Sequence, residues 1–423
     1  MSAPYKNKKR LFASFAILFM ALFSVSFFNT SQTIDTNQEV IGASLITKTP
    51  PTPFKKLTPT SIAVKEKLSA PSLIPVKRSS SLSGLRVQGN TLVNAGGESV
   101  RLFGANRSGT EYACLNGNFS DGPVDSNSLK AMQKWHLNTV RVPLNESCWL
   151  GINSTGLGGI AYQNKVKNYV DTITASGMVA ILDLHWNAPG TEKAVGQNPM
   201  PDADHTPSFW REVATTFKTN DKVIFDLFNE PDPIPFRNDY PGGFSQWQTD
   251  DFNCLLNGCE VTAKNGIKYQ GIGMQKLVDV VRETGATNII MIAGIQSAQT
   301  ITQYQGNNNT NPKGYMPIDP LNNLAVAMHQ YNRAACSDVQ CWEATIAPVA
   351  AVYPIITGEF GDIDCTADYT KQLLPWLDKY KISYVGWTWD VWPESCEGLI
   401  KNYTGTPNKP YGQAYYNHLK SIH

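Results

Sequence analysis

The sequence carries almost no net charge: 36 Lys and Arg stand against 35 Asp and Glu in 423 residues, leaving +1. No strong field is therefore available to gather nucleic acid or acidic membranes, and neither is expected as a partner. The chain lacks C-x-x-C, H-E-x-x-H and His-x-His. Those absences exclude thioredoxin-type and common zinc uses of its cysteines and histidines. It also lacks a glycine-rich phosphate turn, since Gly104-Ala105-Asn106-Arg107-Ser108-Gly109 does not supply one. No internal repeat is present. The expectation is a chain without cofactor or metal.

What is present divides into three parts. Lys6, Lys8, Lys9 and Arg10 precede an apolar run from Leu11 to Phe28. That is the pattern of a secretory signal, and the run approaches the roughly 20 residues that span a bilayer. Residues 1–30 therefore read as a signal peptide or an uncleaved signal anchor. Either exports the rest, to be secreted or tethered to the outer face of the membrane. Residues 31–84 are rich in Ser, Thr, Pro and Lys and read as a disordered linker. Export permits disulfides. Proximity in sequence pairs Cys114 with Cys148, Cys254 with Cys259, Cys336 with Cys341 and Cys365 with Cys396. Free buried thiols are the alternative.

Residues 85–423 form the third part. Strand candidates are Arg101–Ala105, Asn138–Leu144, Met178–Trp186, Val223–Glu230, Asn288–Gly294, Leu324–Tyr331, Pro354–Gly361 and Ser383–Asp390. Helix-period segments alternate with them: Ser126–Leu137, Tyr162–Ser176, Pro207–Thr219, Tyr269–Thr284, Ala367–Tyr380 and Tyr411–Ile422. Such alternation gives parallel pairing with right-handed crossovers. Eight units predict an α/β fold, a closed (β/α)₈ TIM barrel, with an open doubly wound sheet as the rival. The hairpin Leu85-Arg86-Val87 and Thr91-Leu92-Val93 is expected to cap the barrel floor.

Polar residues collect at the C-terminal strand ends, the active face of such a barrel. They are Arg141, His185 with Trp186, Asn229 with Glu230, His329 with Tyr331, Glu359, and Trp387 with Trp389. Two glutamates on strands four and seven suit acetal cleavage. One carboxyl must stay protonated while the other stays ionised. A gap of about 5–5.5 Å allows direct attack, and one of about 6.5–9.5 Å admits a water and inverts configuration. The competing structural readings are an ion pair for the glutamates, a barrel salt bridge for Arg141, core histidines, and core or rim tryptophans.

Asn229-Glu230-Pro231 after a strand, with Glu359 in Gly-Glu-Phe-Gly, resembles glycoside hydrolase family 5, the cellulase family of clan A. The resemblance spans residues 86 to 423 and includes Arg141, His185, His329 with Tyr331, and Trp389 or Trp387. It implies Glu230 as acid/base, Glu359 as nucleophile and Asn229 on the sugar 2-hydroxyl. Arg141 and Tyr331 would support the Glu359 charge, His185 and His329 would bind hydroxyls or orient the carboxyls, and Trp389, the nearer to the strand end, would be the sugar platform. The implied activity is retaining hydrolysis of a β-linked polysaccharide or oligosaccharide by a monomer, foremost an endo-β-1,4-glucanase. A β-mannanase, exo-β-glucanase or β-mannosidase is the enzymatic alternative. A glycan-binding barrel and an anchored structural protein are the others. The loops at 187–206 and 232–266, with Glu111, Tyr112, Glu146 and Trp247, are candidate subsite walls.

Overall fold

The structure, a computed structural model, describes residues 82–153, 155–235, 243–306, 314–393 and 395–423, without the side chains of 243–247. The expected export segment, nearly all of the expected linker and the Trp247 side chain lie outside the described residues. No helix among the described residues is long and apolar enough to cross a membrane.

Eight parallel strands close into a barrel in chain order: β1 Phe103–Asn106, β2 Thr139–Asn145, β3 Val179–Trp186, β4 Val223–Asp226, β5 Ile290–Ala293, β6 Leu324–Tyr331, β7 Ile355–Gly361 and β8 Ser383–Gly386. The principal helices on the outside are α1 Ser126–Gln133, α2 Ile160–Ala175, α3 Thr206–Phe217, α4 Met274–Glu283, α5 Asp368–Lys379 and α6 Tyr411–Ile422. Their sequences explain them. The Asp125 side chain accepts from the backbone N–H groups of Asn127 and Ser128 and starts α1. Helix α4 buries Met274, Leu277, Val278 and Val281, one face of a 3.6-residue period.

Three expected boundaries move. Strand β4 stops at Asp226 and β8 at Gly386, so Glu230 and Trp389 sit on loops beyond their strands. The helix expected from Tyr269 begins at Met274, because Lys268–Gln270 pairs instead with Glu260–Thr262 in a hairpin.

Side-chain alternation along each strand sorts the interior. In β3, Ala180, Leu182 and Leu184 face the helices. Val179 and Ile181 face inward and join Ile224, Met291, Ile356 and Val385 in an apolar layer. That layer is closed from below by Leu85, Leu92 and Val100 of a three-stranded antiparallel flap, Arg86–Gln88, Thr91–Val93 and Ser99–Val100. The hairpin thus caps the floor, and Leu82 already packs against it. Above that layer the inward positions turn polar. A buried ion pair between Arg107 and Asp390, at 2.6 Å, locks the exit of β1 to the loop after β8.

Four disulfides join Cys114 to Cys148, Cys254 to Cys259, Cys336 to Cys341 and Cys365 to Cys396. All eight cysteines lie in segments that follow a strand's C-terminal end. Two of the bridges tie neighbouring loops, β1 to β2 and β7 to β8.

Candidate active site

Arg141 is the hub of the polar layer. It is fully buried on β2, and its guanidinium reaches four other strands or their loops. It donates to Asn106 Oδ1 at 3.0 Å, Asp226 Oδ2 at 3.0 Å, Asn229 Oδ1 at 2.9 Å and Glu359 Oε1 at 2.9 Å. Asp183 Oδ2 lies 3.1 Å from its second terminal nitrogen. A planar fork with five donors suits this convergence, and partners on every side offset its desolvation. Asp183 and Asp226 stand in register on adjacent strands. Burial pushes both carboxyls above their ordinary range, opposed by Arg141.

Glu359 is 4% exposed and receives Tyr331 Oη at 2.7 Å on its second oxygen. A register irregularity in β7 between Thr357 and Phe360 points Gly358 and Glu359 at the site while Phe360 joins the outer core. Gly358 is small for a reason of space: a Cβ there would come within 3.2 Å of His329 Nε2 and 3.5 Å of Arg141 Nε. The Asn106 side chain donates to the Gly358 carbonyl at 2.9 Å and so supports the same turn of chain.

Glu230 faces Glu359 across the mouth. Its Oε1 lies 3.0 Å from His329 Nδ1, which is 3.6 Å from Glu359 Oε2. One oxygen of each glutamate and a His329 nitrogen all fall within 4.8 Å of one another. Burial raises the Glu230 carboxyl above its ordinary value, against the pull of His185, Arg141 and Lys264. Burial also holds the His329 ring down to about 3, so it is neutral between the two acids. His185 is lowered by burial too, and its Nδ1 sits 2.6 Å from Asp183 Oδ2.

Aromatic rings line the rim. Trp387 is partly exposed and stacks on His185, with centroids 5.6 Å apart and planes 7° apart. Trp392 follows Trp387 at 6.3 Å, and Tyr112 lies 6.4 Å from Trp186. Trp389 is a correction. It is wholly buried, 4.9 Å from Trp135, and presents no face to a ligand. The chain turns inward after Gly386, with the Trp389 backbone N–H donating to the Asn106 carbonyl at 2.8 Å, and this carries the second tryptophan into the core. Of the two tryptophans, only Trp387 is partly exposed.

Glu146 is also not a rim residue. It is buried and accepts from the Ala188 N–H and the Thr206 hydroxyl, both at 2.7 Å, which fastens the 187–206 loop. Glu111 is 2% exposed and accepts from Ser108 and from the Gly109 N–H, while Tyr112 beside it reaches the rim. Glu146, Asp202 and His205 also gather donor atoms within 4.8 Å, as do Glu230, His329 and Glu359. In the first group the His205 ring meets the Ala188 carbonyl and Asp202 accepts from Asn187 and the His205 N–H. Those atoms are occupied in holding the loop. Asn106, Asp183, Asp226 and Gln197 belong to the site and were not singled out from sequence. Asp183 and Asp226 did carry a signal, being charged residues inside apolar strand runs.

Comparison with known proteins adds the following. The family described as cellulase (glycosyl hydrolase family 5) matches residues 93–392. Endoglucanase 1 of Robillarda sp. is 28% identical over 68% of this chain and 71% of its own length. Endoglucanase CelA of Streptomyces lividans is 24% identical over 76% of this chain, which spans 61% of that protein. A beta-glucanase of Saccharophagus degradans, solved in complex with cellotetraose, superposes with a TM-score of 0.59 at 20% identity, covering 84% of this chain and 99% of the other.

Proposed function

This chain belongs to glycosyl hydrolase family 5, the cellulase family, and on that premise we propose that it is a retaining endo-β-1,4-glucanase acting outside the cell. The observation that carries the reading is the gap between the two glutamates, with an oxygen of each within 4.8 Å. So close an approach of one oxygen to the other supports direct attack, for which carboxyls stand about 5–5.5 Å apart, over inversion, for which about 6.5–9.5 Å leaves room for a water.

In the first step a Glu359 oxygen attacks the anomeric carbon and the glycosidic bond breaks. Glu230 gives its proton to the departing oxygen. Its raised affinity for that proton suits the acid role. In the second step Glu230, now ionised, takes a proton from water, the water oxygen bonds to the anomeric carbon, and Glu359 leaves. Arg141 and Tyr331 hold Glu359 in line and balance its charge. Asn229 meets the 2-hydroxyl of the sugar at the cleavage point. The neutral His329 sits between the two acids and brings no charge of its own to either.

Endo action on glucan is supported by the rim. Trp387 with Trp392, and Trp186 with Tyr112, form two aromatic pairs that meet at His185 and offer partly exposed rings for sugars beyond the one being cut. Two endoglucanase relatives and a beta-glucanase bound to cellotetraose agree with a cello-oligosaccharide substrate. Four disulfides agree with an oxidising compartment outside the cell.

The test is azide rescue. Glu230→Ala, given an aryl β-cellobioside with a good leaving group, should regain turnover with azide and yield the β-glycosyl azide, while Glu359→Ala should yield no product of retained configuration. The reverse pattern would exchange the roles. Binding of cello-oligosaccharides with no hydrolysis by the unaltered protein would make it a glycan-binding barrel.

A further inference from the structure

Gln197 lies partly exposed on the long loop between β3 and α3, yet its side chain reaches the two residues at the centre of the chemistry. Asn229 Nδ2 donates to Gln197 Oε1 at 3.0 Å. Gln197 Nε2 donates to the Glu230 carbonyl at 3.1 Å and to the Asn198 carbonyl at 2.9 Å. On its other side Asn229 accepts from Arg141 at 2.9 Å. The Asn229 amide is thus gripped at both ends. Arg141 has only donors, so Asn229 must turn its oxygen there and its NH₂ toward Gln197. Gln197 in turn faces two carbonyls with its NH₂, so only its oxygen is left for Asn229. Neither amide can flip without setting donor against donor or acceptor against acceptor.

We propose that Gln197 is a positioning residue that fixes the Asn229 amide so that its second N–H points at the 2-hydroxyl of the sugar being cleaved. The inference rests on the role given to Asn229 above and adds the group that sets its orientation. Gln197 is held in turn by the root of its loop. Glu146 grips Ala188 and Thr206, and Asn145 donates to the Ala194 carbonyl at 2.8 Å. The loop is therefore part of the catalytic arrangement as well as its wall. Because contact with the 2-hydroxyl strengthens in the transition state, losing Gln197 should lower kcat more than it raises KM.

A staple that merely holds the loop would make a different prediction, and the substrate can separate the two. Gln197→Ala is compared with the unaltered full chain on an aryl β-cellobioside and on its analogue lacking the 2-hydroxyl in the ring at the cleavage point. The expected result is a fall of about 10–100-fold in kcat on the hydroxylated substrate, the scale of one hydrogen bond realised in the transition state. On the deoxy analogue variant and parent should agree within about threefold, on the same scale. Gln197→Met, which keeps length and volume, gives the same comparison should alanine destabilise the loop. Equal losses on both substrates, or no loss on either, overturn the inference and leave the proposed hydrolase standing. Inactivity of the parent toward every aryl β-glycoside removes the hydrolase reading, and the inference with it.

Discussion

The barrel interior has two halves of opposite character. At the floor, Val179, Ile181, Ile224, Met291, Ile356 and Val385 join Leu85 and Leu92 in one buried apolar cluster. At the mouth, Arg141, Asp183, Asp226, His329 and Glu359 fill the equivalent space. The same strands build both. Ile181 and Asp183 are successive inward positions of β3, and Ile224 and Asp226 of β4. One step of two residues therefore crosses from a layer that stabilises by burying apolar surface, at roughly 25 cal/mol per Å², to one whose desolvated charges must be offset by partners. The disulfides are distributed unevenly as well, all in segments leading away from the mouth. Loops that carry polar side chains inward have less apolar surface to hold them, and covalent links supply the constraint.

If the halves divide labour, they can be damaged separately. The largest effect belongs to Glu359→Gln. We expect turnover to fall at least about 10⁴-fold, on the order of 5 kcal/mol in the barrier, with the melting temperature nearly unchanged. Rate assays beside a thermal melt decide it, and a matching collapse in stability would mean that the mouth also carries the fold. The converse is Ile181→Ala at the floor. It should cost about 2–4 kcal/mol of unfolding free energy by leaving a cavity, and leave kcat within about twofold. A large loss of kcat there would join the two halves. Third comes Trp387→Ala, expected to lower kcat/KM on cello-oligosaccharides by about 10–50-fold, as removal of a stacking face would. Its effect on a short aryl glycoside should be smaller, and equal losses on both would deny it a platform role.

Much of this was legible because both halves follow a period of two. The alternation in Val179–Trp186 announces the strand, and a charged or histidine residue in the inward series marks where the floor gives way to the mouth. The pairing of the cysteines also followed from sequence proximity. What escaped depends on chain that leaves the strands. Trp389 looked like the platform by its distance from a strand expected to run to Asp390, but β8 ends at Gly386 and the chain folds Trp389 under Trp135. Gln197 has no local pattern, since its role exists only once its loop returns to Asn229. Glu359 faces the site through a register shift in β7 that strict alternation would not foresee.

The smallest expected effect tests whether the mouth is built at the expense of stability. Asp226 touches Arg141 and stands beside Asp183, and its second oxygen has no hydrogen-bond partner. Three carboxylates share one guanidinium here, so burial pushes the Asp226 carboxyl up to about 7 despite Arg141. In the unfolded chain the group titrates near 3.9, on the usual scale. Between those values the folded protein holds a proton that the unfolded one has released. Stability must then fall as pH rises through that window, with the full loss reached above the folded value. Asp226→Asn keeps an acceptor for Arg141 and removes one of the two raised carboxyls, leaving that of Asp183. Relative to the parent it should gain stability progressively from about pH 4 to about pH 7, ending on the order of 1 kcal/mol ahead. Its kcat should drop severalfold, because with one competitor gone Arg141 draws more of the charge of Glu359. Melting curves of both proteins across that pH range are the measurement. If the Asp226→Asn variant proved less stable than the parent at every pH, the charged layer would support the barrel as the apolar layer does, and the division between floor and mouth would fail.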